Sequence, residues 1–144
     1  MRIAIASDHA AIDLKSTLVE YLTGLGHDVQ DLGPNSPDSV DYPDYGYKLA
    51  NAVADGSAER GVALCGSGIG ISIAVNRNTA CRCALVGEPL SAKRSREHND
   101  ANDIAMGARL TGVDMAKACL DAFINTEFGG DRHARRVAKL SNPA

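Results

Sequence analysis

The segment Gly61-Val62-Ala63-Leu64-Cys65-Gly66-Ser67-Gly68-Ile69-Gly70-Ile71-Ser72-Ile73-Ala74 leaves this chain few ways to fold. Val62 to Leu64 is a short apolar run of the kind buried on both faces in a parallel sheet. Glycines at 66, 68 and 70 then strip the turn of every side chain but Ser67 and Ile69. Ile71, Ile73, Ala74 and Val75 resume an apolar pattern that suits a helix, although β-branching weakens the preference. The segment reads as strand, glycine loop and helix, with Cys65 at the carboxyl end of the strand. Backbone N–H groups of such a loop, with the first turn of the helix, form a nest for an anion. Positive partial charge beside a thiol favours thiolate, so Cys65 is expected to ionise readily.

Familiar phosphate loops do not fit. A dinucleotide loop needs a third glycine where Ile71 stands. A Walker loop needs a lysine near its end, and this loop has none. A cysteine phosphatase loop would carry an arginine six residues after the cysteine, and Ile71 again occupies the place.

The rest of the chain alternates in the same way. Arg2 to Ser7 reads as a first strand with Asp8-His9 beyond its end. Ala11, Leu14, Leu18, Leu22 and Leu25 recur at helical spacing up to Gly24 and Gly26. His27 to Leu32 reads as a second strand, and Gly33 to Tyr42 as a loop long enough to carry function. Pro43 suits the first turn of a helix with Tyr45, Leu49, Ala52 and Val53 on its apolar side. Arg82 to Val86 reads as the fourth strand. Pro89 opens a helix through Ala92, Ser95 and Arg96 to His98-Asn99, on a face too polar for a covered core helix. Ile104 to Met106 is a fifth strand. Thr111 with Asp114 resembles a capping box, before a helix whose buried stripe is Val113, Ala116, Leu120, Phe123 and Ile124. Gly129-Gly130 breaks it, and Arg132 to Leu140 forms a last, basic helical segment.

This order predicts an α/β fold: one domain over 1–144, a Rossmann-like three-layer α/β/α sandwich around a five-stranded parallel sheet. With right-handed crossovers, strands one and three become neighbours at a topological switch, where open sheets bind ligands. Asp8, His9 and Cys65 lie at those two strand ends.

Composition narrows the partners. A net charge of −3 over 144 residues argues against nucleic acid, although Lys93-Arg94-Arg96 and Arg132 to Arg136 are basic clusters. The four cysteines, at 65, 81, 83 and 119, make no C-x-x-C pair, so reduced thiols and a cytoplasmic setting are expected. Cys81-Arg82-Cys83 would suit a metal only if the thiols converged; a strand is expected to point them apart, leaving structural cysteines. The apolar opening Ile3 to Ala6 is too short for a signal peptide or a membrane span.

Taken singly, an Asp-His after a strand, a buried Cys, a helix-terminal His-Asn-Asp and an Arg-rich helix are unremarkable. Together they supply an ionisable thiol, a second acid/base in His98, hydroxyl-binding Asp8 and Asn99, and arginines for a phosphate. Proton transfer on a small phosphorylated polyol would use all of them.

The order and spacing of Ser7-Asp8-His9, Tyr42-Pro43, Cys65 to Ser72, Glu88-Pro89, His98-Asn99-Asp100 with Asn102, Gly107-Ala108-Arg109, and Arg132-His133 with Arg136-Val137 carry a resemblance. From Ile3 to about Val137 the chain resembles the type B ribose-5-phosphate isomerases, a family that includes galactose-6-phosphate isomerase subunits. The resemblance implies reversible conversion of D-ribose 5-phosphate to D-ribulose 5-phosphate in the pentose phosphate pathway, without metal or other cofactor. Cys65 would be the base between C2 and C1. The loop Gly66, Ser67, Gly68, Ile69 and Gly70 would hold the enediolate oxygen. His98 and Asp8 would assist ring opening, and Tyr42 and Asn99 would meet hydroxyls or the ring oxygen. His9, Arg109, Arg132 and Arg136 would bind the phosphate. The family builds each site between two subunits, which implies a homodimer, or a tetramer, with His98, Asn99, Arg132 and Arg136 facing the partner's Cys65.

The chain departs from the family pattern in places. Ser67 stands where many relatives have threonine, and Asp131 where a glycine usually precedes the Arg-His pair. Relatives that lack the cysteine use a glutamate where this chain has Ile71, so the cysteine version is the one that fits. The alternative within this fold is an isomerase of allose 6-phosphate, galactose 6-phosphate or a free sugar. A flavodoxin-like nucleotide or flavin carrier is a different class, opposed by Ile71 and the absence of tryptophan.

Overall fold

The computed structural model describes residues 1–144. In chain order the elements are β1 (Arg2–Ser7), a 3-10 turn (His9–Ala11), α1 (Ile12–Gly24), β2 (Asp28–Asp31), α2 (Tyr42–Ala54), β3 (Arg60–Cys65) and α3 (Ile69–Val75). There follow β4 (Cys83–Leu85), α4 (Pro89–Asn99), β5 (Asp103–Gly107), α5 (Val113–Ile124) and α6 (Arg132–Ser141). All strand pairs are parallel, and the five-stranded sheet runs β2-β1-β3-β5-β4. The α/β sandwich expected from the alternation is therefore the fold adopted.

The three central strands are buried on both faces, and the faces differ. Ile3, Ile5, Val62, Leu64, Ile104 and Met106 point to one side, where they meet Leu14, Leu18 and Leu22 of α1 and Leu120 and Phe123 of α5. Ala4, Ala6, Ala63 and Ala105 point to the other, against Leu49 and Ala50 of α2 and Ile71 and Val75 of α3. Small residues on that face let α2 and α3 approach the sheet closely. Both helices begin at the carboxyl edge of the sheet, so close packing there brings their first turns together.

The strand order places the switch between β1 and β3, as the crossover rule predicts. Ser7 pairs with Leu64, and the Asp8 N–H donates to the Leu64 carbonyl at 3.1 Å.

Several local expectations are corrected. The polar face of α4 is buried: Ala92, Ser95 and Arg96 are 0%, 6% and 4% exposed. Arg96 is tolerated because Nη1 donates to Asp100 Oδ1 (2.8 Å) and the Ala101 carbonyl (2.6 Å), and Nε to the Thr126 carbonyl (3.1 Å). The Thr111–Asp114 capping box does not form; Gly112 is the N-cap of α5, without a side-chain cap. Val113 and Leu25 are exposed rather than in the helical stripes, because each stands at a helix end beyond the sheet. Cys81 and Cys83 do not point apart: residues two apart along an extended chain share a face, and both thiols lie against the core on the α2 and α3 side.

At the amino edge of the sheet, Asp103 is fully buried and neither carboxyl oxygen has a hydrogen-bond partner. Burial pushes its carboxyl up to about 7, opposed by the Cys81 thiol and the charges of Arg82 and Arg60. The folded state thus holds a proton that an unfolded chain, with a carboxyl near pKa ~3.9, releases earlier. Stability attributable to this group falls as pH rises from ~4 to ~7 and then levels off. Asp103→Asn is expected to raise the thermal midpoint at about pH 8 by several degrees over wild type and to change it little at about pH 4. Parallel melts at the two pH values test this; equal effects at both would refute it.

Candidate active site

The carboxyl edge of β3 leads into a loop whose shape glycine makes possible. Gly68, the N-cap of α3, has φ +80°, and a Cβ there would stand 2.8 Å from the Met106 backbone. Its N–H donates to Cys65 Sγ at 3.1 Å. The Ile69 N–H donates to Ser67 Oγ at 3.2 Å, and Ser72 Oγ donates to the Ile69 carbonyl at 2.7 Å. The amides of Gly66, Ser67 and Gly70 make no hydrogen bond within the protein. That loop therefore offers unspent donors to an oxyanion beside the sulfur.

Tyr42, in the first turn of α2, lays its ring over Gly70, where a Cβ would come within 2.5 Å of the ring. The Arg109 N–H donates to the Gly66 carbonyl at 3.0 Å, and its guanidinium lies over Gly66. Asp8 is 8% exposed; Oδ1 accepts from the Ala10 N–H at 2.9 Å, leaving Oδ2 without a protein partner. Asp8, Tyr42, Cys65, Gly66, Ser67, Ile69, Gly70 and Arg109 line one open cavity of about 620 Å³, with Ile73 and Leu110. That volume suits a small-molecule ligand.

His9 stands outside this lining. Its Nδ1 accepts the Val40 N–H at 3.1 Å, which leaves Nε2 as the ring's donor. The loop carrying Val40 is anchored at its root by Lys15, which is 2% exposed on α1. Its Nζ lies 2.6 Å from Asp31 Oδ1, and the same oxygen accepts the Gly33 N–H at 2.9 Å. The helical pattern of α1 gives no sign of a buried lysine, since its partner lies across the β2 connection.

His98, Asn99, Arg132 and Arg136 do not join the cavity within one chain. His98, in the last turn of α4, stacks on His133. Asn99 lines a separate cavity of about 550 Å³ beside edge strand β4, with Cys81, Arg82, Cys83 and Leu140. Arg132 and Arg136 are exposed on α6, a helix with no buried residue. Asp131, ahead of them, has φ +56° and ψ −131°, a strained conformation better suited to glycine.

Sequence reasoning missed Ile73, Leu110 and His133. Ile69 and Ile73 share a helix face four apart and are 50% and 54% exposed, and Leu110 is 74% exposed. The spacing of the isoleucines was the available signal; nothing marked Leu110. The other thiols are unsuited to proton transfer at neutral pH, since burial pushes Cys81 up to about 12, Cys119 to about 11 and Cys83 well above the ordinary range. No three His, Cys, Asp or Glu side chains are grouped to hold a metal ion, and no helix is long and apolar enough to cross a membrane.

Known proteins resemble this chain over nearly its whole length. Ribose-5-phosphate isomerase B of Escherichia coli is 40% identical over 97% of this chain and 94% of its own length. D-erythrulose-4-phosphate isomerase of Pectobacterium atrosepticum is 42% identical, over 97% of this chain and 93% of its own. The solved structure of Clostridium thermocellum ribose-5-phosphate isomerase B superposes with a TM-score of 0.97 at 45% identity, covering 98% of this chain and 95% of that one. The family profile described as Ribose/Galactose Isomerase matches residues 3–140, and the chain belongs to that family.

Proposed function

We propose that residues 1–144 form one cytoplasmic isomerase domain that interconverts D-ribose 5-phosphate and D-ribulose 5-phosphate through an enediolate. The observation that carries this reading is Cys65 Sγ, which lines the cavity beside three loop amides that no protein group occupies. Cys65, as thiolate, takes the proton from C2 of the open-chain aldose and returns it to C1. The loop amides and Ser67 hold the oxygen that gains charge, where preorganised donors lower the barrier most. Asp8 and His98 assist opening of the furanose. Tyr42 and Asn99 meet the sugar hydroxyls, and His9, Arg109, Arg132 and Arg136 take the phosphate.

This assignment needs two copies of the chain. The single-chain cavity holds the base, the oxyanion donors and one arginine, while His98, Asn99, Arg132 and Arg136 lie elsewhere. Exposed Ile69, Ile73 and Leu110 at the cavity rim supply the apolar surface that a second copy would cover. A homodimer in which α4 and α6 of one chain complete the partner's cavity satisfies both observations.

The relative that acts on D-erythrulose 4-phosphate favours a second reading, the same chemistry on another sugar phosphate. A coupled assay over pentose, tetrose and hexose phosphates decides between them.

Cys65→Ala is expected to lower kcat by ~10²–10⁴ with little change in melting temperature, whereas alanine at Cys81, Cys83 or Cys119 should leave the chemical step intact. Near wild-type turnover in Cys65→Ala would remove the thiol from the mechanism. Activity is also expected to survive exhaustive chelation, because amides rather than a metal stabilise the enediolate; loss on chelation with recovery on one divalent ion would contradict this.

Arg136→Ala is expected to raise KM for ribose 5-phosphate far more than it lowers kcat, the phosphate being remote from C1 and C2. At substrate concentrations well below the raised KM, where neither variant alone turns over appreciably, mixing Cys65→Ala with Arg136→Ala should restore activity, since each mixed dimer contains one intact site. Verified mixed dimers that remain inactive would place the arginine and the thiol in the same chain's site.

A further inference from the structure

His98 and His133 lie face to face, with ring centroids 4.5 Å apart and planes inclined by 16°. The rings come from the last turn of α4 and the first turn of α6. A backbone bond fixes the junction: the Gly129 N–H donates to the Glu97 carbonyl at 3.0 Å. The charges around the pair come from every segment that meets there. Glu97 belongs to α4, Asp131 to the preceding turn, and Arg132 and Arg136 to α6. Partial burial, then the positive charges of Arg132, His98 and Arg136, hold His133 below the ordinary histidine range, against the pull of Asp131.

Two imidazoliums stacked at 4.5 Å and flanked by two arginines would repel one another, so the empty protein disfavours a doubly protonated pair. Arg132 and Arg136, four apart on one helical face, can hold a doubly charged phosphoryl group together. Such an anion reverses the local balance and favours the protonated pair.

We propose that an anion seated on Arg132 and Arg136 loads a proton onto the stacked His98–His133 pair, so that phosphate binding itself arms His98 as the acid. This rests on the proposed role of His98 in ring opening, and makes His133 a positioning residue that also shares the charge. Opening breaks the C1–O4 bond of the furanose. The loaded proton goes to O4, the O1–H electron pair becomes the second C1–O bond, and the O1 proton passes to the Asp8 carboxylate. A sugar without its phosphate would meet an unarmed pair and open more slowly. The sign follows from linkage: an anion that favours the protonated form takes up protons on binding, and its affinity falls as pH rises through the pair's titration.

Sulfate is the probe, since it does not titrate near neutrality. Calorimetric titration of the wild-type protein at about pH 7, in two buffers of different ionisation enthalpy, reads the protons taken up per sulfate. Uptake of a substantial fraction of a proton is expected, with sulfate affinity falling several-fold between about pH 6 and pH 8. Proton NMR of the two rings in the wild type, with and without sulfate, should show their titration move upward together. The doubly substituted His98→Asn, His133→Asn protein should bind sulfate without taking up protons, and Arg136→Ala should lose both binding and uptake. No uptake in the wild type, or unchanged uptake in the double variant, overturns the proposal. So does uptake abolished by His133→Asn alone and untouched by His98→Asn, since the proton would then never reside on His98. An isomerase assay on the same wild-type sample separates the readings: proton linkage without turnover defeats the proposed function, and turnover without linkage defeats this inference.

Discussion

The pairing of β1 with β3 is the contact on which the site depends. With Ser7 beside Leu64, the chain leaving β1 and the chain leaving β3 emerge side by side at the carboxyl edge. Asp8 is tied there through its N–H to the Leu64 carbonyl, and Cys65 is the next residue along β3. Backbone hydrogen bonds of the sheet interior thus set the spacing between a carboxylate and a thiol, with a precision that loops alone do not provide.

The alanine face of the sheet extends that order to the helices. Because Ala4, Ala6, Ala63 and Ala105 are small, α2 and α3 settle close to the strands, and Tyr42 reaches across Gly70. The loop from β3 into α3 spends two of its amides internally, on Cys65 Sγ and Ser67 Oγ, and leaves three for a ligand. Stability is given up elsewhere: Asp103 sits unpartnered at the opposite edge, and Asp131 holds a glycine-like backbone before the arginines. Strain of the second kind is common near functional sites.

Charge is distributed unevenly between the two halves of the assembly proposed here. The cavity of one chain has Arg109 and unspent amides, whereas the paired histidines and the arginines of α6 project from another part of the same chain. An exposed helix with no buried residue has little reason to be ordered by its own hydrophobicity. The His98–His133 stack ties its first turn to α4, where the proposed proton resides, and Arg82 Nη1 donates to Ser141 Oγ at 3.3 Å at its other end.

The sequence by itself determined the layer architecture and the central strands, because near-continuous apolar runs such as Ile3 to Ala6 and Val62 to Leu64 have only a buried parallel sheet to occupy. It also determined the strand, glycine loop and helix around Cys65, since alternate glycines permit a turn that other residues forbid. Tertiary structure decided what depends on distant partners. Arg96 is buried because Asp100 and two carbonyls receive it, and Lys15 because Asp31 does, neither of which helical periodicity can encode. That Cys81 and Cys83 share a face follows from their spacing, but which layer receives that face follows from where β4 lies against the core, and the rim position of Leu110 from the turn after β5. The stack of His98 on His133 joins residues 35 positions apart through a junction of α4 and α6, and only the folded chain brings those rings into contact.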